Sequence, residues 1–182
     1  MAQSSRGRIH TAPHEVNRLS IEVPESFEDF RARYERAVPP FETGRFERLI
    51  KDDAGWETVV AATEENAPHG FIIYWSGDFR ALLGLAGERL PCVEYLMGNH
   101  MIAQRMYHHD PAVLLYAPLR TAIYQDAGGA AWFTVDQPST QFSAFGNPDI
   151  ARVGLELDRK LATLLEYLGT PVPEVLTAGP PH

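Results

Sequence analysis

The segment from Cys92 to Pro138 constrains the fold of this chain more than any other part. It begins as an apolar strand that ends in Gly98-Asn99-His100, continues as a short helix, and closes with two apolar runs separated by Asp126-Ala127-Gly128-Gly129. Paired glycines supply the positive φ angles of a tight hairpin, so the last two runs are predicted to pair as strands. Gly-Asn corners let a ligand approach the backbone closely, which makes this corner a candidate site.

A long amphipathic helix is predicted at the end of the folded part, over residues 148–168. Its apolar positions recur every three to four residues and form one stripe, so the helix is expected to pack across a sheet. Further strands are predicted at 16–23, 69–75, 93–97, 112–125 and 130–136, and shorter helices at 25–38, 41–50, 56–65, 79–85 and 100–109. Pro118 inside the strand 112–125 indicates an edge position or a bulge.

Length and composition bound the organisation of the chain. A chain of 182 residues that is 45% hydrophobic can bury one core, so a single domain is predicted over residues 15–169. Residues 1–14 and 170–182 are predicted to be flexible tails, and residues 38–56 to be additional helical material. The single Cys92 excludes an internal disulfide and is predicted to be a buried, inert thiol.

Charge and hydropathy exclude two classes of partner. The formal net charge is −8 and the basic residues are spread out, which argues against nucleic acid as a partner. No apolar run approaches the roughly 20 residues that a membrane helix needs, and the N-terminus has no signal-peptide pattern. The expected location is therefore the cytoplasm, a reducing compartment that fits the cysteine content.

From Gly70 to Leu168 the chain resembles a known family, the domain of unknown function numbered 302. The resemblance rests on the order and spacing of a series of motifs: Gly70-Phe71, Met97-Gly98-Asn99, Asp110-Pro111, Leu114 to Arg120, Asp126 to Gly129 and Gln137-Pro138. It implies a small α+β fold, with an antiparallel sheet of four to five strands, helices packed on one face, and homodimers. It implies no established activity. Family members usually have proline where this chain has His100.

His100 is accordingly the candidate for chemistry. A histidine near its ordinary pKa can act as a general acid or base, and Asp136, Tyr95 or Tyr124 could be its partner. The same ring could instead bind a ligand, or have only a structural role at the start of its helix. The sequence leaves these alternatives open, and with them the question of whether the protein is an enzyme.

Arg120 is the second candidate, because it lies in an otherwise apolar strand. Strand alternation puts it on the same face as Pro118, Ala122 and Tyr124. Its guanidinium could receive a carboxylate or a phosphate, or it could simply face solvent. The residues predicted to bind a ligand share a place near the Gly-Asn-His corner or on the neighbouring strands: Asn99, His100, Arg120, Tyr95, Tyr124 and Trp132.

The histidines of the helix 100–109 do not form a predicted metal site. His100 and His108 are eight residues apart, about 12 Å along a helix, so one ion cannot bind both. No metal ligand is predicted and no cofactor is required, and the motifs of phosphate loops, serine hydrolases and zinc proteases are missing from the sequence. Three functions remain: small-molecule binding in a pocket between sheet and helices near the Gly-Asn-His corner, catalysis by His100, and binding of a metal or heme through histidine.

Overall fold

The computed structural model describes residues 7–178, which form an α+β fold. Five strands make one antiparallel sheet: β1 (Arg18–Val23), β2 (Ile72–Asp78), β3 (Cys92–Gly98), β4 (Leu119–Gln125) and β5 (Ala131–Asp136). The helices are α1 (Phe27–Ala37), α2 (Thr43–Lys51), α3 (Trp56–Asn66), α4 (Arg80–Gly84), α5 (His100–Tyr107), α6 (Pro138–Phe142) and α7 (Pro148–Tyr167). The predicted fold class and the long C-terminal helix are confirmed.

The strands are ordered β1-β5-β4-β3-β2, and every neighbouring pair is antiparallel. The predicted hairpin is β4 and β5, in which Asp126 accepts hydrogen bonds from the backbone N–H groups of Gly128 and Ala130. Gly129 has a φ of 90°, the left-handed conformation that glycine adopts without steric cost. Beyond β2, the backbone of Pro40 pairs with Ile73 and shields part of that sheet edge.

The core lies between one face of the sheet and the helices α1, α5 and α7. Phe133 at its centre packs against Phe30 and Tyr34 of α1, with ring centroids 6.2 and 5.6 Å away. The Tyr34 hydroxyl is within hydrogen-bond distance of Thr121, at 3.1 Å, so the one buried hydroxyl satisfies the other. The apolar stripe of α7 is buried in the same layer, as its spacing predicts.

A buried polar cluster joins α7 to the end of β5. Asp158 of α7 is 2% exposed and accepts hydrogen bonds from the Gln137 side-chain amide at 2.8 Å and the Ser139 backbone N–H at 2.9 Å. Gln137 in turn accepts a bond from the Asn17 side chain, just before β1, and its amide lies 3.2 Å from the Val175 carbonyl. The cluster therefore ties both ends of the folded chain to the last helix.

Three local predictions differ from the structure. Residues Pro111–Leu115 form a 3₁₀ helix that Asp110 caps, so the predicted strand 112–125 begins only at Leu119. Residues 170–182 are predicted to be a flexible tail, but the Leu176 side chain within this range is fully buried in the core. Cys92, predicted to be buried, is exposed at the start of β3 because it lies on the face opposite the core. The structure describes residues 7–14 of the predicted N-terminal tail and 170–178 of the predicted C-terminal tail, and the rest of both tails lies outside the described residues.

None of the helices within residues 7–178 combines the length and apolarity needed to cross a membrane.

Candidate ligand-binding site

The sheet face opposite the helices is only partly buried, and we call it the open face. It is formed by every second residue of each strand, and the strand register arranges these residues in three rows that cross the sheet. The first row contains Arg18, Asp136, Arg120, Leu96 and Trp75; the second contains Ser20, Thr134, Ala122, Glu94 and Gly77; the third contains Glu22, Trp132, Tyr124 and Cys92.

The middle row is low because most of its side chains are small. Ala122 and Thr134 face each other across β4 and β5 and make a floor between the long side chains of the outer rows. At the β2 end of the row, a side chain at Gly77 would collide with the Trp75 ring. We call the depression along this row the trough. It forms part of a cavity of about 390 Å³, which also reaches Arg18, Arg120, Asp136 and Cys92.

The charges around the trough alternate in sign. Arg120 is 78% exposed and its Nε lies 2.9 Å from Glu94, while Arg18 is 76% exposed and lies 3.5 Å from Asp136. Ion pairs this exposed contribute only about 0–1 kcal/mol, so a ligand can replace either partner at little cost. Each contact is an ion pair made by one nitrogen of a guanidinium, a group that carries five N–H donors. The remaining donors can bind an anion in the trough.

Aromatic side chains occupy the third row of the open face, next to the trough. Tyr124 and Trp132 are cross-strand neighbours on β4 and β5, and both are half-buried. The Trp132 indole donates a hydrogen bond to Asp126 in the hairpin turn at 2.9 Å, which fixes the ring. That bond is the main reason why the pKa of Asp126 lies below its usual value. A rigid aromatic wall beside arginines suits a ligand with both a flat apolar part and an anionic group.

The Gly-Asn-His corner is closely packed. Asn99 caps α5 by accepting the Met101 backbone N–H at 2.9 Å, and its amide donates to the Gly70 carbonyl at 3.0 Å. The cavity beside Gly98 and Asn99 has a volume of about 20 Å³, room for one water molecule at most. Both functional groups of Asn99 thus serve the local structure.

His100 is enclosed by parts of the chain that are distant in sequence. Its Nδ1 lies 2.8 Å from the Tyr74 hydroxyl and its Nε2 lies 2.7 Å from the Thr63 hydroxyl. The rings of Phe41 and Phe46 pack edge-on against it. Burial lowers the pKa of His100 below its ordinary value, which favours the neutral ring. Both ring nitrogens thus have hydrogen-bond partners within the fold.

Tyr95 lies on the covered face of the sheet, away from Arg120. It pairs with Thr121, is fully buried, and donates a hydrogen bond from its hydroxyl to Glu35 at 2.8 Å. Burial, together with that bond, raises the pKa of Tyr95 well above its usual range. Three of the side chains predicted to bind a ligand therefore lie on the open face: Arg120, Tyr124 and Trp132. The other three do not, because Asn99 and His100 lie at the Gly-Asn-His corner and Tyr95 lies on the covered face.

The two histidines at the end of α5 take part in no metal cluster. His108 is exposed beside the Gln104 carbonyl, and His109 lies 3.7 Å from Asp149. Across residues 7–178, the side chains of histidine, cysteine, aspartate and glutamate nowhere gather in threes that could hold a metal ion.

Comparison with known proteins gives one family and one fold. Residues 50–168 match the family described as Domain of unknown function DUF302. The chain belongs to the DUF302 family. The structure is similar to the crystal structure of an uncharacterised conserved DUF302 protein from Bacillus stearothermophilus, with a TM-score of 0.58 and 16% sequence identity over 82% of this chain and 95% of the other. No curated protein matches the chain.

The DUF302 match includes most of the residues that line the trough but not all of those around His100. Of the residues that line the cavity, Arg18 alone lies before residue 50, whereas Phe41 and Phe46 beside the His100 ring both do. The sequence reasoning missed Arg18, Glu94 and the small floor residues. Their signal is the alternation of polar or small residues with apolar ones on β3, β4 and β5, which marks a face that is not in the core.

Proposed function

We propose that this DUF302 protein binds a small organic anion, a carboxylate or a phosphate ester, in the trough on the open face. The observation that carries the proposal is the cavity of about 390 Å³ that Arg18 and Arg120 line together with the floor residues Ala122 and Thr134. Small-molecule sites are typically about 300–1,000 Å³, mostly apolar, with a few convergent polar groups. The trough has this composition, with Ala122 in its floor and Arg120 in its wall.

The trough is a better candidate than the Gly-Asn-His corner for two reasons. The cavity beside Gly98 and Asn99 has room for at most one water molecule, and the groups of Asn99 and His100 are already hydrogen-bonded within the chain. The Arg120 guanidinium, in contrast, is 78% exposed and directed over the open face. A second groove of about 430 Å³ adjoins the trough at Arg120 and Asp136, which gives a longer ligand room to extend.

Replacing Arg120 with alanine is expected to weaken binding of such an anion about 10- to 100-fold. The reason is the loss of charge-assisted hydrogen bonds, each of which contributes about 1.5–3 kcal/mol. A panel of carboxylates and phosphate esters is screened by thermal shift at low salt, and the affinity of any ligand that raises Tm is measured by calorimetry.

Arg152→Ala is the matched control, because Arg152 is also exposed and paired with a carboxylate but lies on α7. It is expected to leave the affinity unchanged. Filling the floor with Ala122→Phe is expected to abolish binding, while Ala81→Phe on the exposed α4 is not. The proposal is wrong if no compound of the panel raises Tm, or if Arg120→Ala and Arg152→Ala weaken binding equally.

We also propose that a second copy of the chain covers the open face and closes the trough. Arg18, Asp136, Arg120 and Glu94 alternate in charge, so a two-fold axis can set each arginine against a carboxylate of the partner. Leu96 lies next to Arg120 in the first row and adds an apolar surface to it. It also lines the adjoining groove together with Leu114 and Leu115, which are exposed. Both features favour a homodimer that stacks sheet on sheet.

Replacing Leu96 with glutamate is expected to convert this dimer into a monomer, since each protomer then brings a charged group into the apolar part of the interface, where it must lose its water. Sedimentation equilibrium on the wild-type protein and the variant measures the change. Thr163→Glu adds the same charge to the exposed side of α7, in the helical layer, and is expected to leave the dimer intact. A monomeric wild-type protein would contradict the dimer and leave the ligand proposal standing.

A further inference from the structure

A histidine holds the α2–α3 hairpin, residues 43–66, against the rest of the fold. The His100 ring fits between this hairpin and β2, with its centroid 5.2 Å from that of Phe46 and 6.3 Å from that of Tyr74. Thr63, nearly fully buried on α3, contacts the ring from the hairpin side. The titratable His100 ring thus contacts the hairpin on one side and β2 on the other.

Four hydrogen bonds around the ring follow one another, and each N–H or O–H group among them donates to one acceptor. The His100 backbone N–H donates to the Tyr74 oxygen at 3.0 Å, and the Tyr74 O–H donates to Nδ1. The Nε2–H then donates to the Thr63 oxygen, and the Thr63 O–H donates to the Val59 carbonyl at 2.7 Å. The chain requires a neutral imidazole with its proton on Nε2, since only that form accepts at Nδ1 and donates at Nε2.

A second proton on the imidazole ring reverses the role of Nδ1 from acceptor to donor. Nδ1–H would then point at the Tyr74 oxygen, and the Tyr74 proton would lose its acceptor inside the fold. The Tyr74 hydroxyl cannot remove the conflict by losing its own proton, because burial raises the pKa of Tyr74 to about 12. Tyr74 is half-buried, and a donor that loses its partner there is costly, so the imidazolium disfavours the closed arrangement.

No charged side chain is bonded to the ring within residues 7–178. On the hairpin and the segment before it, Arg45 is paired with Glu42 and Glu65 at the surface. On α5, Arg105 is paired with Glu156 of α7. The other ionisable side chains of the elements around the ring are exposed: Glu47, Arg48, Lys51, Asp52, Asp53, Glu57, Glu64, Asp78, Tyr107 and His108. Burial alone lowers the pKa of His100, with no carboxylate to offset it.

The remaining attachments of the hairpin are few. Phe46 is the buried residue of α2, and Ala62, Thr63 and Asn66 are those of α3. Asn66 donates to the Pro40 carbonyl at 3.1 Å and accepts from the Glu42 backbone N–H at 3.3 Å, which fixes the base of the hairpin. Without the Thr63–His100 contact, the hairpin is held by the Asn66 bonds at its base and by the stacking of Phe46 on Phe41, with ring centroids 4.6 Å apart.

We propose that protonation of His100 releases the α2–α3 hairpin, so that this hairpin is an acid-sensitive cover over the Tyr74–His100 corner. The inference does not depend on a ligand in the trough. Its sign follows from linkage: the open state binds the proton more tightly than the closed state, because the ring is solvated when the hairpin is open. Closure is therefore complete above about pH 6.5, the ordinary pKa of histidine, and weakens as the pH falls below it.

Hydrogen exchange at several pH values tests the cover. Protection factors, corrected for the intrinsic exchange rate, are compared for the amides of α2 and α3 and for those of the core helix α7. In the wild-type protein, protection of the hairpin is expected to fall by up to about tenfold per pH unit below pH 6.5, while protection of α7 stays constant. NMR titration of the His100 ring is expected to follow the same curve.

The variant His100→Gln cannot be protonated and is expected to remove the pH dependence, whereas His108→Gln, at the exposed end of α5, is expected to keep it. Should His100→Gln fail to fold, the wild-type ring titration decides the question. The inference is overturned if the hairpin and α7 lose protection together, if His100→Gln retains the pH dependence, or if the ring titrates without a change in the hairpin.

Discussion

Replacing Asp158 with alanine is expected to lower the free energy of unfolding by about 3–5 kcal/mol. Hydrogen bonds to a charged group contribute about 1.5–3 kcal/mol each, and Asp158 accepts two of them inside the protein. The substitution leaves the Gln137 amide and the Ser139 N–H without this acceptor. Urea unfolding followed by circular dichroism measures the loss.

Glu166→Ala is the matched control for this substitution, because Glu166 is an exposed carboxylate on the same helix. It is expected to change stability by less than about 0.5 kcal/mol. Asp158→Asn keeps the shape but offers one acceptor oxygen in place of two, so an intermediate loss is expected. Equal losses for Asp158→Ala and Glu166→Ala would show that the buried cluster does not hold the two chain ends to α7.

Phe133→Ala is expected to destabilise the protein by about 3–5 kcal/mol, the usual cost of removing a large aromatic side chain from a core. Phe133 is fully buried between the sheet and α1, so the neighbouring rings of Phe30 and Tyr34 would line a cavity. The same unfolding measurement applies.

Trp132→Ala provides the comparison, since Trp132 is the larger side chain but lies on the open face of the same strand. Its removal is expected to cost clearly less than that of Phe133. If the two substitutions cost the same, the assignment of the two sheet faces is wrong, and the trough with it.

Periodicity was sufficient to predict the larger elements. The apolar stripe of α7 and the Asp-Ala-Gly-Gly turn between β4 and β5 depend only on residues close in sequence, and both are where the sequence places them. The strand predicted from residue 112 began too early because the local cap of Asp110 and Pro111 favours a 3₁₀ helix over extended backbone. The preference for a 3₁₀ helix is also local, but the apolar residues of the same segment resemble those of a strand.

The candidate site was harder to predict, because strand register and long-range contacts are not local. Tyr95 and Arg120 belong to neighbouring strands, and only the register, which aligns Tyr95 with Thr121, shows that they lie on opposite faces. The partners of His100 come from 26 and 37 residues away, on β2 and α3. The sequence singled out His100, but it held no information on the hydroxyls that enclose it.

The floor of the trough is separate from the core, and this has an evolutionary consequence. Ala122 and Thr134 alternate with the buried residues Thr121, Ile123 and Val135, so a substitution in the floor changes the shape of the trough while the packed layer behind it stays intact. Members of such a family can therefore diverge in ligand preference through mutations that cost little stability. A shared fold with differing floor residues would then be compatible with different cellular roles.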